Sequence, residues 1–192
     1  MRPFSATPDG LERLEVPASV GDFPVPRYVD FFIRDAEDRA EAYWDLAGKG
    51  GSFVPGDGRY AYQVLGWLLR SGWLKAGASF LEWGSGQGMV GMLASFWGLE
   101  AMGVEIDLAL VEEAKSLARR YDSPARFIHG SYNPADAPAT VVTAAKRDAV
   151  YVYPWPGEED FFLRLFDSTA SPGALLLMCL GPEDIRVYRK KG

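Results

Sequence analysis

From residue 79 onward, short apolar runs alternate with segments whose apolar positions recur at helical spacing. Residues 89–97 are apolar on nearly every side, which predicts a buried helix, whereas residues 110–118 and 158–168 each carry one apolar stripe. Strands that alternate with helices indicate a parallel sheet with crossover helices. The region 185–189 is expected to add a last edge strand. The apolar runs themselves predict strands near 79–83, 100–105, 125–129, 148–153 and 174–180.

The N-terminal part of the chain follows a different pattern. Five prolines lie within the first 34 residues, so this arm is expected to be extended and packed, or partly disordered. Two amphipathic helices are predicted after it, near 35–47 and 60–69, and glycines follow both. We therefore expect an α/β, Rossmann-like protein with a mostly parallel sheet flanked by helices. Its N-terminal arm and helical cap would span residues 1–75, and its Rossmann-like domain residues 76–192.

Composition narrows the class of protein. The chain has 192 residues, of which 48% are hydrophobic and 24% charged, as in a soluble globular protein. A formal net charge of −6 without any long Lys/Arg run argues against general nucleic-acid binding and against an anionic membrane surface. The single cysteine, Cys179, excludes an intrachain disulfide and lies in an apolar run, which predicts a buried side chain. Without a signal-peptide pattern or a bilayer-length apolar run, a cytoplasmic location is expected.

The candidate chemistry lies where the first predicted strand of the sheet meets its helix. Residues 82–88 read Glu-Trp-Gly-Ser-Gly-Gln-Gly, and Glu105 lies at the end of the next strand. Glycines in a strand-to-helix turn let backbone amides approach a ligand without obstruction by side chains. A carboxylate at a neighbouring strand end is placed to accept hydrogen bonds from a ribose. Together the two features predict a site for a nucleotide-type cofactor.

The glycines can be assigned to either of two motifs. Gly86 to Gly91 matches G-x-G-x-x-G, the dinucleotide fingerprint, with Glu105 at a plausible distance. In the dinucleotide fold, however, the first glycine ends the strand, and counting from Gly84 places Met89 where the third glycine belongs. Counted from the strand, the pattern is instead an acidic residue followed by three alternating glycines.

The second pattern resembles the first motif of the class I S-adenosylmethionine-dependent methyltransferases. The resemblance is carried by Glu82, Gly84, Gly86 and Gly88 and covers roughly residues 53–180. It implies that S-adenosyl-L-methionine is the cofactor and that the backbone around these glycines lines its methionine and ribose. It also implies that Glu82 orients the loop or the methionine ammonium.

Further positions follow from the same resemblance. Ser85 would belong to the cofactor-binding turn, Glu105 would accept hydrogen bonds from the ribose hydroxyls, and Ile106 would pack on the adenine. At the end of the third strand the family usually has an acidic residue that receives the adenine amine. Ser131 occupies that position here, and it accepts a hydrogen bond but carries no charge. His129, the only histidine, is expected to be a strand residue with a local partner.

The loop after the fourth strand reads Tyr-Pro-Trp-Pro at residues 153–156, where the family places its acceptor-side loop. In amine methyltransferases this loop is Asn/Asp-Pro-Pro-aromatic, so Tyr153 replaces the amide residue and Trp155 the second proline. Tyr153 and Trp155 are the candidates for contact with the acceptor, because a hydroxyl can hydrogen-bond it and an indole can stack on it. Glu158 is a weaker candidate for a base. Alternatively, the aromatic rings of this loop only pack under the N-terminal helices.

A narrower likeness concerns the layout of the N-terminal half. Phe53-Val54-Pro55 before a helix, followed by the glycine motif and by Glu105, is similar to the Dot1-like protein lysine methyltransferases. Phe53 and Pro55 would then belong to a lid over the cofactor, or they would only form the entry to a helix.

The predicted function is that of an S-adenosylmethionine-dependent methyltransferase with a small-molecule or protein substrate, an amine being favoured. The methyl acceptor and the oligomeric state are left open. One alternative is a cofactor-binding or interaction protein without catalysis, because Ser131 and Tyr153 depart from the family pattern and the predicted sheet is shorter than seven strands. A nicotinamide-dinucleotide-binding Rossmann protein is a further alternative.

Overall fold

The computed structural model describes residues 7–46, 56–136 and 140–192. Within these ranges, seven strands form one sheet and five α-helices pack on it. No helix of the described part is both long and apolar enough to cross a bilayer. The strands are β1 (Leu11–Leu14), β2 (Ser79–Trp83), β3 (Glu100–Glu105), β4 (Arg126–His129), β5 (Ala149–Val152), β6 (Leu175–Gly181) and β7 (Asp184–Lys190). The helices are α1 (Arg27–Leu46), α2 (Gly58–Arg70), α3 (Met89–Phe96), α4 (Leu108–Arg120) and α5 (Glu159–Thr169).

The strand order is β1-β7-β6-β5-β2-β3-β4, and the five strands β2 to β6 are parallel. β7 is antiparallel to both of its neighbours, β6 and β1. β3 lies on one side of β2 and β5 on the other, so the strand order reverses between β2 and β5. Open α/β sheets bind ligands in the crevice at the carboxyl ends of such a pair. The predicted α/β, Rossmann-like sheet is confirmed.

Two expectations for the ends of the chain were wrong. The N-terminal arm contributes a strand, β1, so the sheet has seven strands rather than fewer, and β7 is not an edge strand. Leu11 is buried in β1 and pairs with Lys190, while Glu12 and Arg189 are 3.1 Å apart in an ion pair. A four-residue strand is too short for a clear alternation of apolar and polar positions, and its partner lies at the far end of the sequence.

The first helix begins eight residues earlier than predicted, at Arg27. The Pro26 carbonyl accepts hydrogen bonds from the amides of Val29 and Asp30, both at 3.0 Å, so the proline lies at the start of the helix. Proline is tolerated there, since the amide that it lacks would have no partner inside the helix. Val29, Phe32, Ile33 and Ala36 are buried at helical spacing.

Apolar clusters cover both faces of the sheet. On one face, Val29 of α1 and Leu65 of α2 belong to the same cluster as Phe80 of β2 and Leu93 of α3. On the other face, α5 packs on the sheet. The first two helices therefore share their core with the sheet, and the predicted domain boundary at residue 75 stays a prediction.

Candidate functional site

The turn between β2 and α3 depends on glycine. Gly84, Gly86 and Gly88 have φ angles of 65°, 52° and 77°, a region that side chains with a Cβ enter only with strain. A Cβ on Gly88 would lie 2.3 Å from the ring of Phe127 in β4, so the end of the turn is also closely packed. The three alternating glycines are thus required by the backbone conformation.

The carboxylate of Glu105 holds this turn against the end of β3. Its Oε2 accepts a hydrogen bond from the Gly86 amide at 2.9 Å. Its Oε1 accepts from the amides of Ile106 and Asp107, at 2.8 and 2.9 Å. A carboxylate offers about four acceptor positions, so Glu105 can fix the turn and still accept a further hydrogen bond.

Glu82 is a buried carboxyl group beneath the same turn. Its Oε2 accepts a hydrogen bond from the Gly91 amide at 2.7 Å. Burial, opposed by that amide and reinforced by the charge of Glu105, raises the pKa of Glu82 to about 8. The group is therefore mostly protonated at neutral pH, and a cation bound beside it would favour the ionised form.

A cavity of about 130 Å³ lies at the carboxyl ends of β2 and β5, with α1 on one side. It occupies the crevice that the strand order predicts for a ligand. Its walls come from five elements and from the glycine turn. The lining residues include Ala36, Glu37 and Ala40 of α1, Glu82 of β2, Gly84 to Gln87 of the turn, Met89 and Val90 of α3, Leu110 of α4, and Tyr151 and Tyr153 at the end of β5.

Three residues that line this cavity each have a buried polar atom without a hydrogen-bond partner in the described part of the chain. These atoms are Ser85 Oγ, Gln87 Oε1 and the Tyr151 hydroxyl. The thiol of Cys179, a neighbour of Tyr151, donates to the Gly181 carbonyl, with 3.6 Å between sulfur and oxygen. Buried polar groups in proteins nearly always have a partner. Three such atoms around one cavity therefore indicate a site for a polar ligand.

Helix α1 is fastened across the turn and onto α4. The Tyr43 hydroxyl donates to Asp107 Oδ2 at 2.9 Å, and Arg39 Nη1 is 2.7 Å from Glu113 Oε1. Gln87 Nε2 donates to the Arg39 carbonyl at 3.2 Å. Asp107 also caps α4, because its Oδ1 accepts from the Ala109 amide at 2.9 Å. These contacts make α1 one wall of the cavity.

The predicted cofactor residues occupy different places around the cavity. Glu82, Gly84, Ser85 and Gly86 line it, and Gly88 lies where α3 begins. Glu105 is not among the residues that line the cavity, but it is hydrogen-bonded to the turn. Ile106 does not line the cavity; its side chain is 60% exposed at the end of β3.

Ser131 is buried and lies outside the cavity lining. Its hydroxyl donates to Asp136 and accepts a hydrogen bond from the Asn133 amide at 2.9 Å. The carboxylate at this strand end is therefore that of Asp136, five residues after the position where the family has its acidic residue. His129 Nε2 lies 2.9 Å from the Ile106 carbonyl, the local partner expected for it.

The two candidate acceptor residues are separated in the structure. Tyr153 lines the cavity, whereas Trp155 is 54% exposed and does not line it. The Trp155 amide donates to Glu158 Oε2 at 3.2 Å. The proposed lid residues Phe53 and Pro55 lie outside the described residues. The roles given to all of these residues stay predictions.

Three residues near the site were not identified from the sequence. Glu37 and Tyr151 line the cavity, and the ring of Tyr132 lies beside the turn, 3.7 Å from where a Cβ on Gly84 would be. Tyr151 had a usable signal, because it precedes Tyr153 by two and therefore faces the same side of the sheet. Glu37 and Tyr132 had no such signal in the sequence, because their positions depend on how separate elements pack.

Comparison with known proteins supports the fold but gives no close relative. No protein-family model and no curated protein matches the sequence. Among solved structures, an RNA methyltransferase from Salinibacter ruber, in complex with S-adenosyl-L-homocysteine, is similar with a TM-score of 0.52 at 20% identity, over 66% of this chain and 88% of that chain. The 16S rRNA N2 methyltransferase RsmC of T. thermophilus, in complex with AdoMet and guanosine, gives 0.55 at 18% identity, over 74% of this chain and 45% of that chain.

A third similar structure is an S-adenosylmethionine-dependent methyltransferase from Thiobacillus denitrificans, in complex with S-adenosyl-L-homocysteine. Its TM-score is 0.50 at 23% identity, over 81% of this chain and 56% of that chain. At these identities the likeness concerns the fold. The narrower likeness to the Dot1-like enzymes stays a prediction. The chain has the fold of the class I S-adenosylmethionine-dependent methyltransferases.

Proposed function

We propose that this chain binds S-adenosylmethionine at the turn between β2 and α3 and transfers its methyl group to an acceptor in the adjoining cavity. The observation that carries the proposal is the turn itself. Its three glycines have positive φ, Glu105 holds it, and it borders a cavity whose lining residues include three with unpartnered buried polar atoms. The solved structures of the same fold contain AdoMet or S-adenosyl-L-homocysteine.

The residues present fit the parts of this cofactor. At the methionine end, the Ser85 hydroxyl can donate or accept a hydrogen bond and Gln87 Oε1 can accept one, and Glu105 keeps acceptor capacity for a ribose hydroxyl. The exposed side chain of Ile106 offers an apolar surface to the adenine. Ser131 together with Asp136 would receive the adenine amine, because the carboxylate supplies the charge that serine lacks.

When bound, the cofactor supplies a methyl group on a positively charged sulfur. An acceptor lone pair would take this methyl carbon, and the sulfur would keep the electrons of the broken carbon–sulfur bond. The chain aligns the two reactants and excludes water. We assign contact with the acceptor to Tyr153, inside the cavity, and to Trp155, at the surface beyond it. A cationic donor in the cavity that Glu82 lines would favour ionisation of Glu82, and the carboxylate would in turn favour binding of the donor.

Similarity to the solved structures does not identify the methyl acceptor. Two of the three similar structures are RNA methyltransferases by name, but at 18% and 20% identity they share only the fold with this chain. The net charge of −6 argues against an extended contact with a nucleic-acid backbone. A small molecule or a protein remains the proposed substrate, and a cytoplasmic location remains a prediction.

Methyl transfer can be tested with donor labelled on its methyl group. The purified chain and labelled S-adenosylmethionine are incubated with cell extract, and the label is followed by mass spectrometry. We expect label in one class of product, and none with the Gly86→Ala variant, whose turn is strained where the donor binds. Donor binding without any labelled product would favour the alternative of a cofactor-binding protein without catalysis.

A further inference from the structure

One wall of the cavity carries an acidic side chain that the proposed cofactor contacts leave unused. Glu37 of α1 lines the cavity together with Gly56, Tyr151 and Tyr153. A Cβ on Gly56 would be 3.2 Å from the Tyr151 hydroxyl and 3.8 Å from the ring of Tyr153, so these three residues are immediate neighbours. We call Glu37, Tyr151 and Tyr153 the acidic wall. It lies at the end of β5, beside the glycine turn and distinct from it.

The carboxylate of Glu37 is half-buried and makes no hydrogen bond or ion pair with any other described residue. The two arginines whose charges act on it, Arg34 and Arg59, both pair with Asp30, Arg34 at 3.1 Å. Asp57 and Asp38 add negative charge around Glu37, and burial together with these charges raises its pKa. No lysine, arginine or histidine is among the described residues that line the cavity. Among the described residues, Glu37 therefore has no paired cation, and the charges of Arg34 and Arg59 offset its negative charge only in part.

The Tyr151 hydroxyl is an independent indication of a ligand at this wall. Tyr151 is 2% exposed, and the Cys179 thiol beside its hydroxyl donates to the Gly181 carbonyl instead, so the hydroxyl has no well-aligned hydrogen-bond partner among the described residues. Tyr151 and Glu82 are cross-strand partners, so their side chains lie on the same face of the sheet. An ammonium group carries several N–H donors and one positive charge. It would match a carboxylate and a phenolic oxygen, whereas a carboxylate or phosphate ligand would be repelled.

We propose that the methyl acceptor is an amine that arrives as a cation, and that the Glu37 carboxylate binds and selects it. This inference rests on the proposed function for the identity of the reaction. Attack on the methyl group requires a free lone pair on nitrogen, so a proton must leave the ammonium before transfer. Glu37 lies on the wall beside the amine, and its carboxylate would accept that proton, which leaves the nitrogen lone pair free to attack.

The proposal is tested by binding of three probes of equal size and different charge: n-propylammonium, n-propanol and propionate. Each is titrated by NMR into the chain with and without saturating S-adenosyl-L-homocysteine. We expect propylammonium to bind at least about tenfold more tightly than the other two, since hydrogen bonds between charged groups are the strong ones. Glu37→Gln should weaken propylammonium about tenfold and leave propanol unchanged.

The matched control is Asp38→Asn, which removes the same charge from the neighbouring, exposed position of α1. It should change propylammonium binding less than about threefold, because an exposed charge is screened. The proposal would be overturned if the three probes bound equally tightly, or if the two variants lost equal affinity for propylammonium. Binding of S-adenosyl-L-homocysteine is measured separately in all three proteins. Its absence in the wild type would count against the proposed function, while the probe titration without it still tests the acidic wall.

Discussion

Glu82 is both a buried residue of the fold and a residue of the proposed ligand site. It is buried, it accepts a hydrogen bond from the Gly91 amide, and its pKa is raised to about 8 mainly by burial. An ionised carboxylate would be costly in this position without a cation beside it. A donor with a positively charged sulfur would supply that cation. The residue that weakens the free protein at high pH is thus the one expected to stabilise the complex.

The effect of Glu82 on stability should depend on pH. Between its ordinary pKa of 4.5 and about 8, the unfolded chain ionises at this position while the folded protein keeps its proton. The free energy of unfolding should therefore fall as the pH rises through this window and level off above pH 8, a loss on the order of a few kcal/mol. Glu82→Gln should remove this part of the pH dependence. Urea denaturation of both proteins at pH 5 and pH 8.5 measures it.

The control for that experiment is Glu112→Gln, which changes an exposed carboxylate on α4 that pairs with Lys115. It should keep the pH slope of the wild type. If Glu82→Gln has the same slope as the wild type and this control, the carboxyl of Glu82 does not have a raised pKa in the folded protein.

The strand–turn–helix unit of β2 and α3 is the element that the sequence specified most completely. Its glycines and Glu105 predicted the turn, and the structure adds the tight packing of Gly88 on Phe127. The start of α1 was harder to predict, because prolines before Arg27 suggested an extended segment. Pro26 instead begins the helix, and the contact of Tyr43 with Asp107 then fastens it over the site.

Two substitutions within this turn should differ in their cost. Gly86→Ala has open space around the new methyl group, so only the positive φ opposes it, at about 1–2 kcal/mol. Gly88→Ala adds a collision with the buried ring of Phe127, and overpacking of this kind costs about 1–3 kcal/mol more. Chemical denaturation of the two variants against the wild type measures the difference. Equal stability of the two variants would show that Gly88 is not packed as described.

At the scale of the whole molecule, local patterns predicted the five parallel strands and the strand near 185–189, but not β1 or its pairing with β7. β1 is four residues long and pairs with β7, so no local window contains both partners. The acidic wall could not be predicted for the same reason, because its residues are also distant in the sequence. Glu37 comes from α1 and Tyr151 from β5, and only the packing of α1 over the sheet brings them to one cavity. Motifs that lie within one turn could be predicted, whereas sites assembled from distant elements could not.

The central claim is that the cavity at the ends of β2 and β5 binds S-adenosylmethionine, and isothermal titration calorimetry tests it most directly. S-adenosyl-L-homocysteine and NADH are titrated into the wild type, into Glu105→Gln and into the control Glu112→Gln. We expect saturable one-to-one binding of S-adenosyl-L-homocysteine by the wild type and the control, about tenfold weaker binding by Glu105→Gln, and no binding of NADH. Binding of NADH without binding of S-adenosyl-L-homocysteine would contradict the account.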